Sequence, residues 1–463
     1  MAYFLTAVFG FFAIFQPGVL WPALATSRPL FLVGLLALLA WGLSPKYADP
    51  LRPQSRLSYL ITGFVVAQIL SVLQFLYIPM VIETALTWGV LLLGYFLVSS
   101  QVNSPQRLLK YWAGVLLAAA WLAGHAVWVY HTQPLTHPQL GDGRLSSYGA
   151  YSGANDLALI IVCAWPLMFK FLDLQRNVVV KVIVVAALVV LLYADLRTLS
   201  RAGLIGLSLV MGLSLLRGRS LGRMGRWALI LPAVIVVFIV GSKLLLTRKD
   251  AKDFSGHDES VQNRFDAWYA GFQMLQSSPL IGVGSGNFAD LSDDFGAGRK
   301  IQAHNTIIKV FAESGVLGGV CYLALIIAAF RLLWRNWRRF QRIKPEGPEF
   351  LWAEALGISL IGFCFNTMFS VKAHEWFLYM VVASATALDR LYPREALLYA
   401  IRAEKALAAL TGEAPASGAA TPAIANAAGF PPGFCYDYRL PGGAFSGAVV
   451  RIAPPAGSGG PDG

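Results

Sequence analysis

The feature that most constrains this chain is a succession of uncharged apolar blocks, each about as long as a helix must be to cross a bilayer. They fall near residues 4–20, 30–43, 57–78, 81–98, 112–129, 157–171, 178–193, 204–216, 228–245, 307–333, 351–369 and 376–388. The blocks run continuously apolar with no alternation in twos, which argues against a β-barrel and for helices. A helix pairs its own backbone polar groups, so it can stand in lipid where no water is at hand. Of the 463 residues, 56% are hydrophobic and only 13% charged, against about a quarter charged in a soluble domain. The expectation is an all-α integral membrane protein with about twelve transmembrane helices. Pro17 and Pro22 make the first two blocks the least regular.

The formal net charge of +12 does not point to nucleic acid, because the basic residues cluster in short connections. One set of connections holds Lys46, Arg52 and Arg56; Arg107 and Lys110; Lys170, Arg176 and Lys181; Arg217 to Arg226; and the dense run Arg331 to Lys344. By the positive-inside bias these face the cytoplasm. The alternate set, at 21–28, 79–80, 131–148, 195–201, 243–305 and 371–375, then faces outward. This alternation places both termini in the cytoplasm. It divides the chain into nine spans within 1–245, a long external loop at 246–304, three spans within 305–390 and a cytoplasmic tail at 391–463. After about residue 411 the tail becomes rich in Ala, Pro and Gly without periodicity, and disorder is expected there. The N-terminus lacks a basic leader, so its first block reads as a retained helix. Cys163, Cys321, Cys364 and Cys435 show neither disulfide nor zinc spacing.

The external segments carry the chemistry. In the long loop, Val261, Phe265, Trp268, Phe272 and Leu275 recur every three or four residues, the signature of an amphipathic helix lying in the outer interface. Such a helix either borders a groove for a lipid-linked substrate or packs on the bundle as a lid. Arg264 lies beside this stripe, Arg201 opens a span and Arg144 sits in a third outer segment. Each alone reads as a snorkelling arginine. Three of them against the positive-inside bias suggest an anion, whose oxygens a guanidinium matches bidentately. The run Pro279-Leu-Ile-Gly282-Val-Gly284 follows no strand, so it is not a nucleotide loop. Its glycines allow close approach to a substrate or another backbone. His304 falls at the outer end of a span, where it either bonds a helix end or takes a proton from a hydroxyl. Lys309 and Glu313 are spaced to pair along one helix face, whereas His304 and Glu313 fall on opposite faces. Gly315, Gly318 and Gly319 are expected to allow close helix packing. Asn155-Asp156 and Lys372-Ala-His374-Glu375 lie at the same depth and read as structural. The external loops offer no metal triad, so neither a metal nor any other cofactor is expected.

Taken in order, Asn155-Asp156, Ser200-Arg201-Ala-Gly, Asn263-Arg264 leading to Trp268 and Pro279-Leu-Ile-Gly282-Val-Gly284, and His304-Asn305 leading to Glu313-Ser-Gly315-Val-Leu-Gly318 resemble the O-antigen ligase and polymerase superfamily. The motifs span about 144–319. The resemblance implies a GT-C-like, metal-independent, inverting glycosyltransferase of the bacterial inner membrane, with its site facing the periplasm. The implied donor is a glycan on undecaprenyl pyrophosphate, and the implied acceptor is lipid A–core or another glycan, within a setting of membrane lipids. By the same likeness Arg201 and Arg264 would bind pyrophosphate, His304 would be the base, and Arg144, Asn155, Asn305 and Glu313 would support them. A ligase is preferred. An O-antigen or exopolysaccharide polymerase and a protein O-oligosaccharyltransferase need the same donor site. A lipid-linked-glycan flippase is the alternative of another class; it would place polar residues at mid-membrane, whereas here they gather at the outer edge, with His125 the main exception.

Overall fold

A computed structural model describes residues 1–25, 27–43, 55–133, 143–216, 239, 259–411, 435–437 and 449–451. The helices in chain order are α1 (Ala2–Phe15), α2 (Pro17–Leu20), α3 (Pro22–Ala25), α4 (Pro29–Gly42), α5 (Arg56–Leu73), α6 (Ile78–Gln101), α7 (Pro105–Thr132), α8 (Ala154–Leu174), α9 (Val178–Thr198) and α10 (Arg201–Leu216). They continue with α11 (Glu259–Ser277), α12 (Phe288–Leu291), α13 (Thr306–Ile343), α14 (Pro348–Thr367) and α15 (Trp376–Thr411). A three-residue antiparallel pair, β1 (Cys435–Asp437) with β2 (Val449–Arg451), is the one sheet among the described residues.

Seven helices, α5 to α9, α13 and α14, are long and apolar enough to cross a membrane; α1, α4 and α10 are apolar but shorter. This is a multi-pass helical membrane protein. Eleven of the apolar blocks coincide with these helices or with the start of α15. The block at 228–245 lies outside the described residues apart from Ile239, as does the tail beyond 411 apart from β1 and β2. On α9, Val182, Ile183 and Val189 are each more than 60% exposed, an apolar stripe suited to lipid. The core runs through α5, α7, α8, α13, α14 and α15.

Lys170 departs from the sequence reading. It is not a loop cation but lies buried in α8, with Nζ 2.8 Å from Glu354 of α14. A lysine this deep needs an acid beside it, because an unpaired charge there would be strongly destabilising.

The second departure positions the site. Gly315 does not merely let helices approach; it breaks α13, with φ 61° and ψ −165°, a region open essentially to glycine alone. A break in a spanning helix frees carbonyls on one side and N–H groups on the other, and these must find partners. The strand-like segment 279–284 supplies them. Val283 and Gly284 donate to the carbonyls of Ala312 and Glu313 (2.9 and 3.0 Å), while Val316 and Leu317 donate to those of Pro279 and Leu280 (2.8 and 3.2 Å). The approach is so close that a Cβ at Gly282 would collide with the Glu313 backbone, and one at Gly315 with that of Leu280. Side chains of α5 and α6 hold the inserted segment: Gln74 Nε2 donates to the Gly282 carbonyl (2.9 Å), the Ser285 amide to Ser71 Oγ (3.0 Å) and Trp88 Nε1 to Ser285 Oγ (3.2 Å).

Gly315→Ala should therefore destabilise the protein by at least about 2 kcal/mol, from a forbidden backbone conformation and a main-chain clash together. Thermal unfolding in detergent checks this. Gly114→Ala, at a helical position with open space around it, should be neutral or slightly stabilising.

Candidate active site

The break lets the first part of α13 end at a defined place against α11 and the 368–372 turn. Asn305 caps that helix: its Oδ1 accepts from the amides of Ile307 (2.9 Å) and Ile308 (3.1 Å), and its Nδ2 donates to the Met368 carbonyl (3.3 Å). Thr306 completes the seam, donating to the Ser370 carbonyl (2.8 Å) and accepting from the Lys372 amide (2.9 Å). On the other side Trp268 Nε1 of α11 donates to the Ala303 carbonyl (3.1 Å). Between these anchors His304 is held in a left-handed conformation, φ 48°, uncommon for a residue with a side chain. The chain is pinned immediately before and after His304, which fixes where its imidazole is presented.

His304 faces a cavity of about 620 Å³, within the range of small-ligand sites. Its wall comes from the 144–146 segment, the start of α8 at 152–156, Gln302, Lys309, and the turn from Phe369 to His374. The N-termini of α8 and α13 both open here, so two helix dipoles present their positive ends. Arg264 stands beside His304, with its guanidinium 5.8 Å from the Phe369 ring centroid. Burial and this neighbouring cation both hold the His304 pKa below the usual imidazole value of 6.5.

Arg144 donates through Nε to the Thr198 carbonyl (2.8 Å) and through Nη2 to Asn155 Oδ1 (2.9 Å), tying the end of α9 to the start of α8. Arg144, Asn155 and His304 thus line one cavity, with Arg264 at its edge. Arg201 does not line it; it is exposed at the start of α10, three residues beyond the Thr198 carbonyl that Arg144 grips. Asn305 acts through its cap. Glu313 is buried, and its Oε1 accepts from the Phe288 amide (3.1 Å) and pairs with Lys309 Nζ (3.5 Å). It braces the inserted segment and aims Lys309 at the cavity. On α11 the residues packed inward are Ala267, Ala270 and Met274, whereas Phe265 and Phe272 of the sequence stripe are each 56% exposed, together with Tyr269. Phe265, Tyr269 and Phe272 thus face away from the bundle, while Trp268 packs inward beside Ala267 and Met274.

Two side chains that sequence reasoning passed over as structural, Lys372 and His374, also line the cavity, and a third, Glu375, is buried behind them. Lys372 is buried; its Nζ donates to the Ala150 carbonyl (2.7 Å) and lies 3.4 Å from Asp156 Oδ2. Glu375, 4.0 Å from the same lysine, accepts from Tyr151 (2.7 Å). His374 stays reachable through the cavity although protein packs around it; burial first, then the charges of Lys372 and Lys309, lower its pKa to about 4. Their place at the end of a span was visible in the sequence; their convergence was not. Among the described residues no group of three His, Cys, Asp or Glu side chains is placed to hold a metal ion.

No curated protein matches the chain. Residues 186–323 match the family model described as O-antigen ligase, a segment that runs from α9 through the inserted 279–284 strand and the Gly315 break. The match covers less than a third of the chain and contains Arg201, Arg264, His304, Asn305 and Glu313.

Proposed function

We propose that the protein is a membrane glycosyltransferase of the O-antigen ligase type, acting at the periplasmic face of the bacterial inner membrane. It moves a glycan from undecaprenyl pyrophosphate to a hydroxyl of lipid A–core. The observation that carries this reading is His304, fixed in a left-handed backbone position at a cavity, where burial and then the Arg264 cation beside it favour the neutral imidazole.

A neutral imidazole can accept a proton at working pH. The acceptor hydroxyl gives its proton to a ring nitrogen of His304 as its oxygen bonds to the anomeric carbon. The bond from that carbon to the pyrophosphate oxygen breaks, and the lipid pyrophosphate leaves with the electron pair. One displacement from the opposite side inverts the anomeric configuration. The charge that grows on the leaving group is met by Arg264, by Lys309 and by the helix N-termini. Such preorganised donors are effective in a site where water is scarce. Arg144, Asn155, Asn305 and Glu313 hold these groups in place.

In cells, deleting the gene should leave lipid A–core without its polymeric cap and cause lipid-linked polymer to accumulate. The wild-type gene should restore the cap, and His304→Ala should not, for a base of this kind contributes about 10²–10⁴-fold. Core bearing single repeats instead would indicate a polymerase, and loss of glycan from a protein alone an O-oligosaccharyltransferase. A full cap with His304→Ala would remove the proposed base.

The pH profile of kcat/KM adds a sharper test. Its acid limb should lie below 6.5, since the free-enzyme pKa of His304 is lowered. The charged or titratable groups around it are Arg264, Arg144, Lys309, Lys372, His374 and Asp156. Arg264→Gln removes the cation that disfavours imidazolium, so the limb should move upward while the rate falls. An unmoved limb would mean that another group sets it.

A further inference from the structure

A second cavity, of about 490 Å³, lies between α1, α2, α4 and α6. Its wall is mostly apolar, with Phe12, Val19, Leu30, Leu86 and Val90 among the residues that form it, and Arg28 stands on its rim. His374 lines this groove and the polar cavity alike. The two spaces therefore meet at one side chain, whose ring also packs edge-on against Trp88 at 6.3 Å. Trp88 is the residue that holds Ser285 of the inserted segment, so the junction is braced by the same insertion that places His304.

A glycan gains nothing from an apolar groove. A substrate with a long hydrocarbon chain and an anionic head fits both parts. At the junction Lys372 and Lys309 flank His374, with their acidic partners Asp156, Glu375 and Glu313 fixing their positions, while Arg28 lines the groove and Arg144 the cavity. We infer that the α1–α2–α4–α6 groove binds the polyprenyl chain of the lipid pyrophosphate donor, with the phosphate end passing His374 into the cavity. This rests on the glycosyltransferase reading above for the identity of the head group. His374 is then a positioning residue at the threshold, distinct in role from His304.

The test uses the full-length protein in lipid nanodiscs and a polyprenyl phosphate carrying a photoreactive diazirine on its chain. Labelling should map to peptides of α1, α4 and α6. Leu86→Trp, at a position 37% exposed in the groove wall, should reduce it at least about tenfold by filling the space. Leu209→Trp on α10, equally exposed but remote from the groove, should leave it unchanged. Excess phosphatidylglycerol should not displace the probe. Labelling that survives Leu86→Trp, that falls elsewhere on the lipid-facing surface, or that phosphatidylglycerol displaces would overturn the assignment, the last result marking the groove as a seat for bulk lipid. Groove labelling by a protein that transfers no glycan to any acceptor would uphold the groove and sink the enzymatic reading instead, so the two can fail separately.

Discussion

Four main-chain hydrogen bonds between 279–284 and 312–317 are what the rest of the site depends on. A spanning helix interrupted in a low-dielectric setting leaves donors and acceptors that water cannot reach, each costing several kcal/mol if unpaired. Here the segment that follows α11 returns into the bundle and pairs them. Once that is done, the short first part of α13 is fixed at both ends, by the insertion at one and by the Asn305 cap at the other. His304 inherits its position from these two constraints.

Charge is organised around the same element. Lys309 and Lys372 reach the cavity only because Glu313, Asp156 and Glu375 lie behind them. A buried lysine without such partners would lose its proton or draw in water. The acids keep the cations in place, while the N-termini of α8 and α13 add field without titratable groups. Neutral imidazoles at His304 and His374 complete an environment in which protons can move although the net field favours an anion. A leaving pyrophosphate is the kind of group such a field stabilises.

Much of this was legible in the sequence. Apolar blocks gave the helices because length and hydropathy are nearly sufficient in lipid. Arg144, Arg201 and Arg264 stood out because cations in connections expected to face outward break a strong bias, and His304 because it falls at a span end. The same logic put Lys170 in a connection, whereas it lies within α8, since a cation near a span end reads as a loop residue unless its acid, Glu354 on a distant helix, is known. It misread Gly315 because a glycine inside an apolar run signals packing far more often than a break, and only the return of 279–284 from elsewhere in the chain makes the break tolerable. On α11 the aromatic stripe marked an interfacial helix, but it did not mark the face that packs inward, where Ala267, Ala270 and Met274 make the contact. Lys372 and His374 were passed over since their meaning comes from long-range convergence with Lys309 and Asp156, which no local pattern encodes.

The central claim is a single displacement at the anomeric carbon with His304 taking the proton. The most direct measurement is the anomeric configuration of the glycan linkage formed by the purified protein from a lipid-pyrophosphate donor of known configuration, read by NMR. Displacement of this kind predicts an inverted linkage with one lipid pyrophosphate released per bond formed, and no product from His304→Ala. A retained configuration, or an inverted product made at full rate by His304→Ala, would contradict it.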